Sequence, residues 1–263
     1  MRDLLFDAEA AAAKSPEASA QQHMRPVLPK RFYKSVDVSQ DPANPGDWLI
    51  LLDGKKVKTP AKSFLKLPNG ASARLIAAEW DAQLEKIDPA IMPMTRLANT
   101  AIDGIASDPQ AVLEDIVRFA ANDLLYYRAS HPERLVKSQC EVWDPILDTL
   151  ASEIGARFET TEGIIHVPQP KEALALYSAR LSKHNTPIQL ACLHTITSLT
   201  GSALIALCLA EEYLTLDKAW TAAHVDEDHN ISLWGEDFEA GKRRQSRLSE
   251  MTASHTLFRA LAE

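Results

Sequence analysis

Hydrophobic and polar positions alternate over the early part of the chain and recur at helical spacing over the rest. Arg31–Ser39 alternates, with Phe32, Val36 and Val38 on one side and Tyr33 and Asp37 on the other, which predicts a strand. Trp48–Leu52 predicts a second strand, and it runs into Asp53-Gly54, the strongest short hairpin signal. Lys55–Thr59 returns, and Ser63–Leu67 predicts a further strand before Pro68-Asn69-Gly70 turns the chain. From Ser72 onward the period is that of a helix. Ile76, Trp80, Leu84 and Ile87 fall on one stripe. Pro89 and Pro93 then stop that helix, because neither has a backbone N–H to donate.

Helical patterns follow over 109–128, 139–155, 170–184, 187–199, 201–212 and 215–234, the first opened by Ser107-Asp108-Pro109. Ile164–Val167 predicts an isolated strand. Ile188–Ala210 carries no charged residue across 23 positions, enough to span a bilayer. Polar Gln189, His194, Thr195, Thr197 and Ser198 interrupt it, and Gly201 divides it. It therefore reads as a pair of buried core helices, which are uncharged on every side because every side is packed. The predicted architecture is α+β: an N-terminal antiparallel sheet with a helix, followed by a larger all-helical bundle domain. The expected organisation is a flexible arm over 1–24, a β-rich domain over 25–105 and a helical domain over 106–263.

Composition adds class rather than chemistry. The 263 residues are 46% hydrophobic and 24% charged, as in a soluble globular protein. The net charge of −8 argues against nucleic acid as a partner. Cys140, Cys192 and Cys208 are odd in number and lack CxxC spacing, which reads as reduced thiols. Asp3, Asp7, Glu9 and Glu17 in the first residues fit neither a secretory signal nor an acid-poor presequence. A bacterial cytoplasmic protein fits that arm better than one of the mitochondrial matrix. The charge is also uneven. Residues 25–62 hold eight Lys and Arg against four Asp, and residues 211–239 hold nine acids against Lys218 alone. The acidic segment reads either as a solvated face or as a surface that steers a basic partner.

Within it, a single unbroken helix over 219–234 would put Glu227 on the face of Trp220, Ile231 and Trp234, with Asp226 and Asp228 elsewhere. A carboxylate on an apolar face is costly unless paired. Glu227 is thus either tied to an Arg or to backbone N–H groups, or it is an acceptor at a partner surface ringed by aromatic anchors. Trp80 at helical spacing reads as core. Arg96 and Asn99 either position the MTRLANT segment or contact a partner. His224, Asp226, Asp228 and His229 are metal-ligand types, and a metal-dependent hydrolase centred on His224, Asp226 and Asp228 is one alternative. However, the His224–Asp228 and Asp226–His229 pairs point to different faces of such a helix. No HExxH, CxxC, GxxxxGK[ST], GxSxG or GxGxxG motif occurs. With only nine glycines a phosphate-cradling loop is unexpected as well. No catalytic residue, metal, cofactor or small-molecule substrate is predicted.

Four blocks of the sequence are more specific: RFYKSVDV (Arg31–Val38), LDGKKVKTPAK (Leu52–Lys62), the segment Ala77–Asp103 with AAEWDAQ and MPMTRLANTAID, and DEDHNISLWGEDFEA (Asp226–Ala240). DLLYYRA (Asp123–Ala129) and TGSALIALCLA (Thr200–Ala210) lie between them. In that order they resemble the assembly chaperones of the ATP synthase catalytic head that are specific for its alpha subunit. The resemblance covers about Arg31 to Ala240. It implies a binding protein that takes the ATP synthase alpha subunit before the beta subunit arrives, without catalysis. It also implies that Glu227, which matches the acidic residue of the family's motif, belongs to the partner-binding surface with Trp234, Trp220, Asp226 and Ile231. Trp80 matches a family tryptophan as well. An adaptor that uses the acidic segment on some other basic partner is the remaining alternative.

Overall fold

The computed structural model describes residues 28–262. The expected arm over 1–24 lies outside the described residues. The chain runs through β1 (Val36–Asp41), β2 (Asn44–Leu52), β3 (Lys55–Lys56), β4 (Lys66–Leu67) and α1 (Gly70–Asp81). It continues through α2 (Pro93–Thr100), a π turn (Ala101–Ile105), α3 (Pro109–Ala120), a 3-10 turn (Leu124–Tyr126), β5 (Tyr127–Arg128), α4 (Glu133–Glu153) and β6 (Thr161–Glu162). The remainder is α5 (Lys171–Leu181), α6 (Pro187–Thr200), α7 (Ala203–Ala210), α8 (Leu216–Ala223), α9 (Val225–Trp234) and α10 (Phe238–Ala260). The class is α+β, with an N-terminal antiparallel sheet and a helix ahead of a helical region.

β2 is the centre of the sheet. β1 pairs along one side of it, and β3 and β4 share the other. The β2–β3 turn is Asp53-Gly54, with φ of 47° and 76°. Positive φ at both central residues is the type I′ geometry that Asp-Gly favours. The Asp53 carboxylate also accepts from the backbone N–H of Lys34 at 3.0 Å and of Ser35 at 2.9 Å. The first strand differs from the alternation read in the sequence. It begins at Val36, Phe32 is 72% exposed and Tyr33 is buried. Tyr33 leaves the strand pattern because its ring packs edge-on against Trp80 and its hydroxyl donates to the Trp80 carbonyl at 2.6 Å.

The helix predicted to reach Ile87 stops at Asp81. Leu84 is therefore exposed rather than part of a buried stripe. Residues 28–32 and 83–88 instead pair with each other: Arg31 N–H donates to the Glu85 carbonyl and Ile87 N–H to the Pro29 carbonyl, both at 2.9 Å. These two stretches form one compact unit, and 33–82 with 89–262 form another.

Long-range carboxylates fix the second unit. α2 starts at a proline with no cap of its own, and Glu79 of α1 supplies one. Glu79 accepts from the backbone N–H groups of Met94 and Thr95, both at 2.8 Å, and from the Thr95 hydroxyl at 2.7 Å. These are donors that a helix start otherwise leaves unmet. Asp103 accepts from the Thr59 hydroxyl at 2.6 Å and the Ala61 N–H at 2.9 Å, which pins the TPAK turn to the π turn. Asp123, fully buried, accepts from the N–H of Leu125 at 3.1 Å and of Leu204 at 3.0 Å. It thereby caps both the 3-10 turn and α7.

The uncharged segment divides as its glycine predicts. α6 ends at Gly201, which has φ +69°, and every residue of α7 is buried. No helix of the described residues is long and apolar enough to cross a membrane. Three other elements depart from the sequence reading. Ile164–Val167 forms no strand, and Ile164 and Ile165 are exposed, while the strand here is Thr161–Glu162, paired in parallel with β5. The helix expected over 109–128 ends at Ala120, where Asp123 redirects the chain. α10 is a helix of 23 residues where none was predicted. Its first half is polar and exposed, so only its packing against α6 and α2 reveals it.

Candidate partner-binding site

The acidic segment does not form one helix. α8 ends at Ala223 and α9 begins at Val225, with His224 between them at φ −123° and ψ 18°. The helical wheel drawn across 219–234 therefore fails at that residue. Trp220 belongs to α8 and is not carried onto the α9 face by a continuous helix. It is linked to that face by His224 instead. The two rings stack with centroids 3.9 Å apart, and His224 Nδ1 lies 2.8 Å from the Trp220 carbonyl oxygen.

Within α9 the spacing holds, since Glu227, Ile231 and Trp234 are four and three residues apart on one side. Their side is the outer one. Val225 and His229 are the buried residues of α9. Trp234 is 85% exposed, Leu233 53% and Phe238 81%. The apolar face that carries Glu227 is thus turned to solvent, so Glu227 sits on it without the desolvation cost of a buried charge. Glu227, Asn230, Ile231, Trp234, Glu236 and Gly241 line a depression of ≈ 400 Å³.

The chain makes this depression by turning sharply. Gly235 ends α9 at φ +82°, and Asp237 caps α10 by accepting from the Ala240 N–H at 2.8 Å. The return path brings the Glu236 side chain over Gly241, where an added Cβ would lie 2.6 Å from Glu236 Oε1. Two contacts anchor the hairpin: Arg244 of α10 meets Asp228 at 2.6 Å, and Gln139 of α4 donates to Asp226 at 2.7 Å. The nearest cation type to Glu227 is His224, whose Nε2 is 3.8 Å from Oε2. Burial holds the His224 imidazole below its ordinary range and hence neutral at pH 7. The Glu227 charge is accordingly not cancelled by that neighbour.

The acidic segment as a whole is partly spent on structure. Glu211 pairs with Arg180 and His184, and Glu212 with Arg259. Asp228 and Asp226 are held as described, and Asp237 is a cap. His224, Asp226 and Asp228, the trio of the hydrolase alternative, are each turned to a different partner. No group of three or more His, Cys, Asp and Glu among the described residues could hold a metal ion.

Trp80, Arg96 and Asn99 lie apart from this depression. Trp80 packs on Tyr33 and its Nε1 is buried without a hydrogen-bond partner. Arg96 pairs with Glu250 at 2.7 Å, tying α2 to α10. The Asn99 Oδ1 is likewise buried and unpartnered. Sequence reasoning missed Glu79, Asp103 and Asp123. Each lies in one of the resembling blocks and holds a second stretch of the same or another block.

A model of the ATP12 chaperone protein family matches residues 30–151. The crystal structure of Atp12 from Paracoccus denitrificans is similar with a TM-score of 0.82 and 36% identity, covering 89% of this chain and 98% of that one. The chain belongs to the Atp12 chaperone family. This is the family that its sequence blocks resemble. A crystal structure of an Agrobacterium tumefaciens protein reaches a TM-score of 0.87 at 52% identity, covering 99% of this chain and 97% of that one. Protein atp12, mitochondrial, of Schizosaccharomyces pombe is 26% identical over 218 residues, 78% of this chain and 74% of that protein.

Proposed function

We propose that this chain is an ATP-independent assembly chaperone for ATP synthase that binds the unassembled alpha subunit of the catalytic head. It covers the alpha-subunit interface until the beta subunit displaces it. An unassembled subunit exposes an apolar surface that its neighbour will later cover, and such patches aggregate. A reversible cover solves this without fuel, cofactor or catalytic residue.

The observation that carries the reading is the exposed Trp234, which lines one depression with Ile231 and the Glu227 carboxylate, with Leu233 and Phe238 exposed on either side of it in the sequence. An exposed tryptophan beside carboxylates has the character of an interaction hot spot. Glu227, Ile231 and Trp234 form the contact, Trp220 and Asp226 border it, and Trp80, Arg96 and Asn99 have structural roles away from it. The compartment we assign is the bacterial cytoplasm, in keeping with the Agrobacterium and Paracoccus relatives.

The test is co-expression with the alpha subunit alone. The alpha subunit should move from the pellet to the soluble fraction, and adding the beta subunit should release the chaperone from it. Binding that vanishes in high salt with no preference for the alpha subunit would point to an adaptor for basic partners instead.

A further inference from the structure

On the reading that the depression beside Trp234 is the partner contact, we infer that it takes an arginine side chain of the protein partner, with the guanidinium laid on the exposed indole and paired with Glu227. Trp234 is 85% exposed and lines the depression together with Glu227, Glu236 and Asp237. A cation can use an indole beside fixed carboxylates twice, through the ring quadrupole and through a charge-assisted hydrogen bond.

The charge of the depression is not balanced from within. No Lys, Arg or His is among its lining residues. Glu236 makes no ion pair among the described residues. Glu227 meets only His224, at 3.8 Å, and burial holds that imidazole neutral. Asp237 accepts from the Ala240 N–H, a neutral donor, and keeps its charge. Arg244 lies in the field of Glu227 and Glu236, but Asp228 binds its guanidinium at 2.6 Å, so that pair adds no net charge. The partial charges at the end of α9 and the start of α10 are of opposite sign and offset each other. Lys242 and Arg243 are exposed on α10 but outside the lining. Three carboxylates, Glu227, Glu236 and Asp237, therefore line the depression against no cation. A basic occupant is favoured over a neutral or acidic one.

Arginine suits this site better than lysine. Its planar, weakly hydrated guanidinium can stack on a ring while its N–H fork meets a carboxylate, whereas an ammonium keeps its water and has no face to stack. Ile231 also lines the depression, between Glu227 and Trp234 along α9, and offers apolar contact to the methylene stem.

Fluorescence anisotropy on the full chain tests this with a labelled hexapeptide, Leu-Arg-Leu-Arg-Leu-Gly, and two counterparts with lysine or uncharged citrulline for each arginine. The arginine peptide should saturate the chain below about 1 mM, with the lysine peptide weaker by about threefold or more and the citrulline peptide by about tenfold or more. Trp234→Ala and Glu227→Gln should each weaken the arginine peptide by about tenfold while melting like the parent. Trp234→Ala removes no charge, so a general attraction to an acidic protein would not respond to it. Equal binding of the arginine and lysine peptides, binding unchanged by Trp234→Ala, or no saturation by about 1 mM overturns the proposal. So does a concentration-dependent dimer that Trp234→Ala abolishes, since that would give the depression to a second copy of the chain. No alpha subunit enters the assay. A chain that retains the alpha subunit but shows no arginine preference loses this inference and keeps the chaperone reading, and the reverse pattern does the opposite.

Discussion

Trp143→Ala is expected to lower folding stability by about 4 kcal/mol, the largest loss of any single truncation considered for this chain. The Trp143 side chain is 1% exposed in α4. Its Nε1 donates to the Ala222 carbonyl at 2.7 Å, and the Arg128 guanidinium sits 5.1 Å over its ring. Ala222 is in the last turn of α8, where carbonyls lack intrahelical partners. The truncation would therefore open a large cavity and leave a buried acceptor unmet. Trp143→Phe separates the two effects, since it fills most of the volume and forfeits only the hydrogen bond, at about 1 kcal/mol. α9 begins three residues after Ala222, so the alanine variant should also weaken partner binding through a loosened base. Urea unfolding followed by circular dichroism measures the loss. A cost below about 1 kcal/mol would mean that Trp143 does not hold the α8 terminus.

Asp123→Ala comes next, with an expected cost of about 2–4 kcal/mol. The deletion strands the N–H groups of Leu125 and Leu204 in a dry core. It also removes the side chain that joins these two segments, leaving the Leu124 N–H to Gly201 carbonyl bond at 3.4 Å. This carboxyl has a pH signature too. Burial is the main influence on it, and it raises the pKa from 3.8 to about 6 despite the N–H donors that favour the charged form. Between those two values the native state holds a proton that the unfolded state has released. By linkage, the contribution of this group to stability grows as pH falls through about 6, is complete below about 4, and is lost as pH rises again. Asp123→Asn should flatten the stability profile across that window, as denaturant titrations at several pH values would report. A profile identical to the parent would show that Asp123 does not titrate there.

The parts of the fold legible in the sequence are those set by one or two local residues. Asp53-Gly54 specifies its hairpin, Pro109 its helix start and Gly201 the division of the uncharged segment, because each fixes a backbone conformation by itself. The parts that escaped are decided at a distance. The stripe from Ile76 to Ile87 continues past Asp81 on paper, yet residues 83–88 find their hydrogen bonds with 29–31 instead. The break at His224 has no Pro or Gly to announce it. α10 carries Lys242, Arg243, Arg244 and Arg247 in an exposed first half, and its apolar contacts come only later, at Met251, Leu257 and Phe258. For the candidate site, the spacing of Glu227, Ile231 and Trp234 was readable. Which way that face points was not, because it depends on Val225 and His229 packing against the rest of the fold. Glu79 and Asp123 were invisible as caps, since the helices they cap lie elsewhere in the sequence.

The central claim is that the outward α9 face, with Glu227 on it, binds the ATP synthase alpha subunit. A pull-down of purified alpha subunit by this chain and by its Glu227→Lys variant, both checked for the same melting profile, tests it most directly. Glu227 is 41% exposed and its nearest partner is 3.8 Å away, so the substitution should leave the fold intact. The account predicts that the parent retains the alpha subunit and the folded variant loses it by about a hundredfold in affinity, as expected when one hot-spot charge is reversed. Equal retention by parent and variant would contradict it.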